Sequence, residues 1–244
     1  MRSSGQLLTI DKVKISYYHY KSGFEKVIII AHGFNNSKNN EVFKDISKRL
    51  ADKFDVFIFD FRGHGQSDGV FSWSSKEDKD LRAVYNYLAP RYNKIGLIGF
   101  SFGAAISINS LIYKNPVKSF VAVSGPSDVN KIDLDFWEMD WQEDVIYAFS
   151  KEGRTGKGIR PGPFWLKKKK PLESIRKINI PVLFVHGSRD WVIRPWHSKV
   201  LYDNCSSKRK QIEIMKDGLH AEYLMRNLAD EFIDLLTKWF DETL

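Results

Sequence analysis

Cysteine is almost absent from this chain of 244 residues, which contains only Cys205. One cysteine cannot close an internal disulfide or form a multi-cysteine zinc site. We therefore expect a reducing compartment, the cytoplasm. Long apolar runs are also missing. The apolar run within the first ten residues is too short for a secretory signal, and no stretch approaches the length of a membrane-spanning helix. This predicts no stable membrane anchoring.

Proline is scarce too, with 8 residues, whereas hydrophobic residues make up 43% of the chain and aromatic residues 14%. This balance excludes a disordered or fibrous protein. The length suits one globular domain over residues 1–244, with room for an inserted subdomain.

The formal charge is +8, and its distribution is uneven. Lys151 to Lys177 holds ten basic and two acidic residues, whereas Gly125 to Ser150 holds one lysine and seven acids. Basic residues without a nucleic-acid motif give only nonspecific attraction, so we predict no nucleic-acid partner. The two halves face each other, or the basic half faces an anionic substrate or a membrane surface, and the sequence leaves these alternatives open.

Short β-branched runs alternate with amphipathic stretches of helical length, a pattern typical of an α/β protein with a mostly parallel central sheet flanked by helices. The predicted buried strands are Val27 to Ala31, Val56 to Phe61, Ile95 to Phe100, Phe120 to Ser124 and Val182 to Val185. A hairpin from Leu7 to Tyr20 precedes them, and Gln211 to Met215 is the predicted last strand. The predicted helices are Val42 to Ala51, Lys79 to Leu88, Ala104 to Tyr113 and Ala221 to Phe240.

The alternation breaks between about residues 126 and 178, where no buried strand is evident. Three of the seven tryptophans, Trp137, Trp141 and Trp165, fall in this stretch. We interpret it as a small lid inserted into the sheet.

Gly99-Phe100-Ser101-Phe102-Gly103 is a G-x-S-x-G motif between a predicted strand and a predicted helix. A serine on such a sharp turn presents its hydroxyl to a substrate, and the two glycines let strand and helix cross closely. Ser101 is therefore the candidate nucleophile.

A serine hydroxyl needs a base, and the base needs an orienting carboxylate. Asp190 follows the strand Val182 to Val185, and His220 follows the last strand, so the order is serine, acid, histidine. Asp128, one strand earlier, competes with Asp190 for the role of the acid. The remaining histidines lie in turns, in the hairpin or at the ends of other elements; His186 in particular is too close to Asp190 in sequence to be its obvious partner.

These elements together resemble the α/β-hydrolase superfamily, with small esterases, monoacylglycerol lipases and serine-aminopeptidase-like proteins as the nearest subgroup. His32-Gly33-Phe34 is similar to the family's oxyanion loop, and Asp60 to Gly69 is similar to its turn after the fourth strand. The resemblance implies the α/β-hydrolase fold and an oxyanion hole formed by the backbone N–H groups of Phe34 and Phe102. The N–H of Phe102 also lies in the first turn of a predicted helix, where amide protons lack intrahelical partners.

We expect the enzyme to cleave carboxylic esters with an apolar or aromatic moiety through an acyl-enzyme on Ser101, without metal or organic cofactor. The candidate pocket residues are aromatic: Phe100, Trp137, Trp141, Trp165 and Trp191. Serine aminopeptidase, thioesterase and monoacylglycerol lipase are alternative activities, and an aminopeptidase would take its amine anchor from the acids of Asp133 to Asp144. A catalytically silent binding protein is the non-enzyme alternative.

Overall fold

The computed structural model describes residues 1–132 and 154–244. These residues contain one sheet of eight strands. The strands are β1 (Arg2–Leu8), β2 (Lys14–Tyr20), β3 (Lys26–Ala31), β4 (Asp55–Phe59), β5 (Lys94–Phe100), β6 (Val117–Val123), β7 (Val182–Gly187) and β8 (Lys210–Met215). Their order in the sheet is β1-β2-β4-β3-β5-β6-β7-β8.

The strands from β3 to β8 are all parallel, which confirms the predicted mostly parallel sheet. The hairpin is also as predicted: β1 and β2 are antiparallel, with Arg2 opposite Tyr20, and β2 continues antiparallel onto β4. Because parallel strands end at the same edge, the loops after β3, β5, β7 and β8 converge on one rim of the sheet. That rim carries the candidate site.

Helices cover both faces of the sheet. Those of the described ranges are α1 (Glu41–Leu50), α2 (Asp78–Leu88), α3 (Phe102–Leu111), α4 (Pro171–Ile175), α5 (Trp196–Asn204), α6 (Leu224–Asn227) and α7 (Ala229–Thr243). On one face, α2 and α3 pack onto the sheet through residues such as Leu81, Val84 and Ile108. On the other face, α1 and α7 do so through residues such as Phe43, Leu236 and Phe240. Burial on both faces is why the central strands read as continuous apolar runs.

The helix predicted from Ala221 to Phe240 is not continuous, so this prediction is wrong. Residues Ala221–Tyr223 form a 3₁₀ turn, α6 follows, and α7 begins only at Ala229. Leu228 separates the two helices because its backbone, with φ −131° and ψ 29°, leaves the helical region. His220 precedes the 3₁₀ turn and therefore lies on the loop after β8, separated from the long amphipathic helix α7.

The predicted lid lies between β6 and β7, and residues 133–153 are outside the described part of the chain. Trp137 and Trp141, two of the candidate pocket residues, fall there. Residues 154–162, which we call the strap, lie over the rim and are held by backbone hydrogen bonds to the loop after β4, including Arg160 N–H to the Gly63 carbonyl (2.7 Å) and Gly162 N–H to the Phe71 carbonyl (2.8 Å). The strap is therefore attached to the sheet domain along its length.

Candidate active site

Ser101 lies on a strained turn between β5 and α3. Its φ of 52° and ψ of −119° are outside the regions that residues other than glycine normally adopt. A Cβ at Gly99 would come within 2.6 Å of the Ala104 Cα, and one at Gly103 within 2.2 Å of the Ala31 carbonyl oxygen. Only glycine fits at these two positions, which explains why strand and helix can cross so closely around the serine.

The structure brings Ser101, His220 and Asp190 together in one hydrogen-bonded row. The Ser101 Oγ lies 3.0 Å from His220 Nε2, and His220 Nδ1 lies 2.8 Å from one Asp190 oxygen and 3.0 Å from the other. Because a carboxylate only accepts, the imidazole proton belongs on Nδ1 and leaves Nε2 to accept from the serine hydroxyl. This is the arrangement in which a histidine can deprotonate a serine.

Asp190 is 1% exposed, and its negative charge is held by several donors. Burial by itself would raise the pKa of this carboxyl, but His220, His186 and their hydrogen bonds hold it well below its usual range. The backbone N–H groups of Val192 and Ile193 also donate to it, at 3.0 and 2.8 Å. The low pKa and these donors favour the anionic form of Asp190.

His186 contacts Asp190 directly, which the sequence analysis did not expect. Its Nε2 lies 3.0 Å from Asp190 Oδ2 and 2.6 Å from the Ile193 carbonyl, and its Nδ1 lies 2.6 Å from the Ser198 hydroxyl. Both neighbours of Nε2 accept hydrogen bonds, so that nitrogen carries the proton. The chain turns between His186 and Asp190, and this turn brings the Asp190 carboxylate back to the His186 ring.

The candidate base has an environment that favours its charged form. Burial alone would lower the pKa of His220, but the charge and hydrogen bond of Asp190 outweigh it, and the charge of Glu222 adds to the upward shift. Lys157, from the strap, acts in the opposite direction. The net pKa of His220 lies above its ordinary value, which suits a base that takes a proton during a reaction.

The alternative acid, Asp128, does not hold the histidine. Its carboxylate accepts from the Asn130 N–H at 2.9 Å and caps a turn after β6, while the Nδ1 of His220 is occupied by Asp190. The remaining histidines are engaged elsewhere; for example, His19 contacts the Tyr92 hydroxyl at 3.0 Å and His197 contacts Ser127 at 2.8 Å.

The loop after β3 comes close to Ser101. A Cβ on Gly33 would lie 3.1 Å from the Ser101 Cβ and 3.8 Å from its hydroxyl oxygen, so the Gly33–Phe34 peptide borders the nucleophile. His32 is fully buried, and its Nδ1 bonds the Gly33 carbonyl at 2.7 Å while its Nε2 accepts from the Phe61 N–H at 3.1 Å. In a trans peptide the C=O and N–H groups point in opposite directions, so this bond orients the Phe34 N–H.

Burial lowers the pKa of His32 to about 4, which keeps the ring neutral with one donor and one acceptor. Phe102 begins α3, so its N–H is the first of that helix and has no intrahelical acceptor. The two backbone donors predicted for the oxyanion hole thus border the serine on two sides.

An aromatic wall lies beside the serine, formed by Phe34, Phe71, Trp73 and Phe102. Their rings contact one another with centroids 5.4 to 5.9 Å apart. Phe71 and Trp73 were not among the candidate residues, although both follow the turn after the fourth strand that the sequence analysis singled out. Phe71 and Trp73 follow β4, which lies next to β3, and this position was the sequence signal that could have identified them.

Two of the predicted pocket residues are elsewhere. Phe100 is fully buried and packs edge-to-face on Phe43 and Phe232 in the core between the sheet and α1 and α7, which corrects its assignment to the pocket. The alternation of a strand explains this, because Phe100 shares the face of Ile98 in that core. Trp165 lies on the surface, 73% exposed, so its assignment to an apolar pocket is also corrected. Trp191 is half-buried beside Asp190, and its role stays a prediction.

A polar cluster joins the strap to the loop after β8 that carries His220, which we call the histidine loop. Glu222 is 4% exposed, and its Oε1 accepts from the Asn36 amide and lies 3.4 Å from the Lys157 ammonium. The same ammonium lies 3.3 Å from the Tyr223 hydroxyl. Glu222 and Lys157 were not among the residues predicted from the sequence, although Glu222 is a carboxylate two residues after the candidate base.

The described residues contain no group of three His, Cys, Asp or Glu side chains arranged to hold a metal ion. Across residues 1–132 and 154–244, no helix has the length and apolar character needed to cross a membrane. Independence from cofactors, the lack of a nucleic-acid partner and a cytoplasmic location stay predictions.

Comparison with known proteins gives two family matches. The profile of the alpha/beta hydrolase fold family matches residues 26–162, more than half of the chain, and that of the family described as serine aminopeptidase, S33, matches residues 168–224. Among curated relatives, the uncharacterized protein YqkD of Bacillus subtilis is 29% identical, with 85% of this chain and 70% of that protein covered. The uncharacterized protein RP471 of Rickettsia prowazekii is 31% identical, with 86% and 72% covered.

Among solved structures, the esterase Pf2001 of Pyrococcus furiosus superposes with a TM-score of 0.80 at 21% identity. The alignment covers 100% of this chain and 93% of the esterase. A likeness at this identity concerns the fold, and it extends over the whole chain.

Proposed function

Since the chain belongs to the alpha/beta-hydrolase family, we propose that it is a serine hydrolase that cleaves carboxylic esters through an acyl-enzyme on Ser101. The observation that carries this proposal is the continuous hydrogen-bonded row from Ser101 through His220 to Asp190. Family membership and the esterase fold likeness support a hydrolase enzyme, whereas the serine mechanism is inferred from the geometry of these three residues.

In the proposed first step, His220 Nε2 takes the hydroxyl proton while Ser101 Oγ forms a bond to the ester carbonyl carbon. The carbonyl π electrons move onto oxygen, and that oxyanion accepts hydrogen bonds from the N–H groups of Phe34 and Phe102. Each such donor typically contributes about 100- to 1,000-fold in rate. Asp190 holds the imidazole in the required tautomer and stabilises the imidazolium that forms.

The tetrahedral intermediate then collapses. The bond from carbon to the alcohol oxygen breaks, and His220 gives its proton to the departing alcohol. In the second half, His220 takes a proton from water, the hydroxide attacks the acyl carbon, and the serine oxygen leaves with the proton that His220 returns. The products are an alcohol and a carboxylic acid, and Ser101 is regenerated.

The aromatic wall supports an apolar or aromatic group on the substrate. Phe34 is 38% exposed and Phe102 and Trp73 are half-buried, so part of their ring surface is open beside the nucleophile. Aromatic faces of this kind bury apolar groups effectively. We therefore expect esters with an apolar or aromatic moiety to be better substrates than polar ones.

Aminopeptidase activity is the second candidate, because residues 168–224 match the serine aminopeptidase family. Such an enzyme needs a carboxylate for the substrate amine, and Glu222 is the buried carboxylate that follows the histidine. Glu222 already pairs with Lys157. Within the described residues, this pairing favours ester hydrolysis over aminopeptidase activity. The acids of Asp133 to Asp144 lie outside them.

The test is hydrolysis of p-nitrophenyl esters from acetate to palmitate, with an aminoacyl p-nitroanilide alongside. Ser101→Ala should abolish ester turnover and fluorophosphonate labelling, whereas Ser4→Ala, on the exposed first strand, should leave both unchanged. Faster cleavage of the anilide would select the aminopeptidase. Equal activity in the wild type and Ser101→Ala would refute the proposed nucleophile.

A further inference from the structure

Two neighbouring aromatic side chains, just after the strap in the sequence, are exposed to solvent. Phe164 is 68% and Trp165 is 73% exposed, and their rings meet edge-to-face with centroids 5.4 Å apart. Every other aromatic side chain in the described ranges is at most 40% exposed. Exposed aromatic surface of this size is unfavourable in water and commonly marks an interaction site.

The backbone on both sides of the pair is held in place. The Trp73 indole N–H donates to the Gly162 carbonyl at 3.1 Å, and the Ser75 hydroxyl donates to the Lys167 carbonyl at 3.0 Å. The Asn109 amide donates to the Lys169 carbonyl at 3.3 Å. The two rings are thus presented by an anchored segment.

A cationic groove lies next to the pair. Lys167 to Lys170 and Lys177 line it together with Tyr113 and one carboxylate, Glu173, around a volume of about 600 Å³. Lys169 pairs with Asp78 at 2.7 Å. Within the described residues, no carboxylate lies within 4.0 Å of the Lys167 or Lys177 ammonium, and both side chains are exposed.

The aromatic pair and the lysines belong to one surface. Trp165 precedes Lys167 by two residues, a separation that the backbone spans in at most about 7 Å. The combination of exposed aromatic rings with exposed ammonium groups has a specific physical consequence. Indole and phenyl rings prefer the boundary between headgroups and acyl chains, and lysines near that boundary are attracted to anionic headgroups.

From this surface we infer that Phe164, Trp165, Lys167 and Lys177 dock the protein reversibly on an anionic phospholipid membrane. Two signals are needed for such binding, because either a few apolar groups or a few charges alone hold a protein only weakly. A nucleic acid would use the lysines through its phosphates without requiring the aromatic pair. The pair is the feature that selects the membrane.

Docking at this surface places the candidate site near the bilayer. Gly162, two residues before Phe164, is bonded to Trp73 of the aromatic wall. If the proposed hydrolase activity holds, an apolar ester dissolved in the membrane has a short path to Ser101. The docking itself rests on the surface residues alone and is tested without turnover.

The experiment is cosedimentation of the full chain with vesicles of phosphatidylcholine alone or with 30% phosphatidylglycerol, at about 0.1 M salt where surface charges still act. We expect binding to the anionic vesicles only. Neutralising each lysine should weaken binding about fivefold, so Lys167→Gln with Lys177→Gln should weaken it about 25-fold. Phe164→Ala with Trp165→Ala should weaken it at least as strongly.

The matched control is Lys208→Gln with Lys216→Gln, which removes the same charge from exposed positions elsewhere and should bind like the wild type. Failure of the wild type to bind anionic vesicles overturns the proposal. Binding to the anionic vesicles that the aromatic double variant leaves intact also overturns it, since such binding indicates charge attraction only. Hydrolysis of p-nitrophenyl butyrate by every variant separates loss of docking from loss of the proposed activity.

Discussion

The charges of Glu222 and Lys157 offer a sharp test of the base, because they act on His220 in opposite directions. Glu222 raises the pKa of His220 and Lys157 lowers it, and the two side chains lie 3.4 Å apart. Removing either one leaves the other uncompensated. Glu222→Gln should therefore lower the pKa of His220, and Lys157→Met should raise it.

The size of the effect follows from distance. Glu222 comes two residues after His220, so the Cα atoms of the two residues lie at most about 7 Å apart. At an effective dielectric constant of about 20, two unit charges at a separation of that order interact by about 2 kcal/mol. Glu222 is almost fully buried, so solvent reduces this only in part.

The assay is the pH dependence of kcat/KM for p-nitrophenyl butyrate. A base must be neutral to take a proton, so the rate falls as pH falls through the pKa of His220. The acidic limb should move to lower pH in Glu222→Gln and to higher pH in Lys157→Met, while Lys157→Arg keeps the charge and the wild-type profile. Limbs that stay in place, or that move in the same direction in both variants, would refute the assignment of His220 as the base.

Three further predictions concern single positions. Asp190→Asn should lower kcat by about 10⁴-fold with an unchanged circular dichroism spectrum, because the amide favours the wrong tautomer of the base; a loss below tenfold would contradict the role of the acid. Lys38→Met removes one partner of a fully buried ion pair, whose Nζ lies 2.6 Å from Asp60, and should lower the free energy of unfolding in urea by about 3 kcal/mol. Adding Asp60→Asn should recover part of that loss, and no recovery would argue against an uncompensated charge. Gly103→Ala should lower the free energy of unfolding by more than about 2 kcal/mol and abolish ester hydrolysis, because its methyl group would collide with the Ala31 carbonyl; a stable, active variant would contradict the steric reading of the turn.

Loops from distant parts of the chain are tied to each other around the site. The loop after β3 contributes Asn36, the strap contributes Lys157 and the histidine loop contributes Glu222, and these three polar groups meet in one cluster. A second contact joins Lys38, in the same loop after β3, to Asp60, which follows β4. Both clusters lie outside the hydrogen-bonded row from Ser101 to Asp190 and connect loops that border it, which is the usual role of residues that preorganise a site.

Local patterns were sufficient to predict most of the strands and helices, although not the helix break at Leu228, and the meeting of Ser101, Asp190 and His220. The strand preceding Ser101 and the helix following it are adjacent in sequence, and the glycines at either side are required by that one turn. Asp190 and His220 each follow a parallel strand, and such strands end at a common rim. For these features, sequence neighbours and strand order contain the physical information.

Tertiary packing decided the rest, because the contacts join residues far apart in the chain. Phe100 and Phe102 are equivalent in the motif, yet the first packs on α1 and α7 and the second stands beside the serine. The meeting of Lys157 with Glu222 depends on how the strap crosses the rim, and no local pattern specifies that path. Sequence by itself determined which residues are candidates for the chemistry, and only the packing of distant loops determined which side chains surround them and shift the pKa of His220.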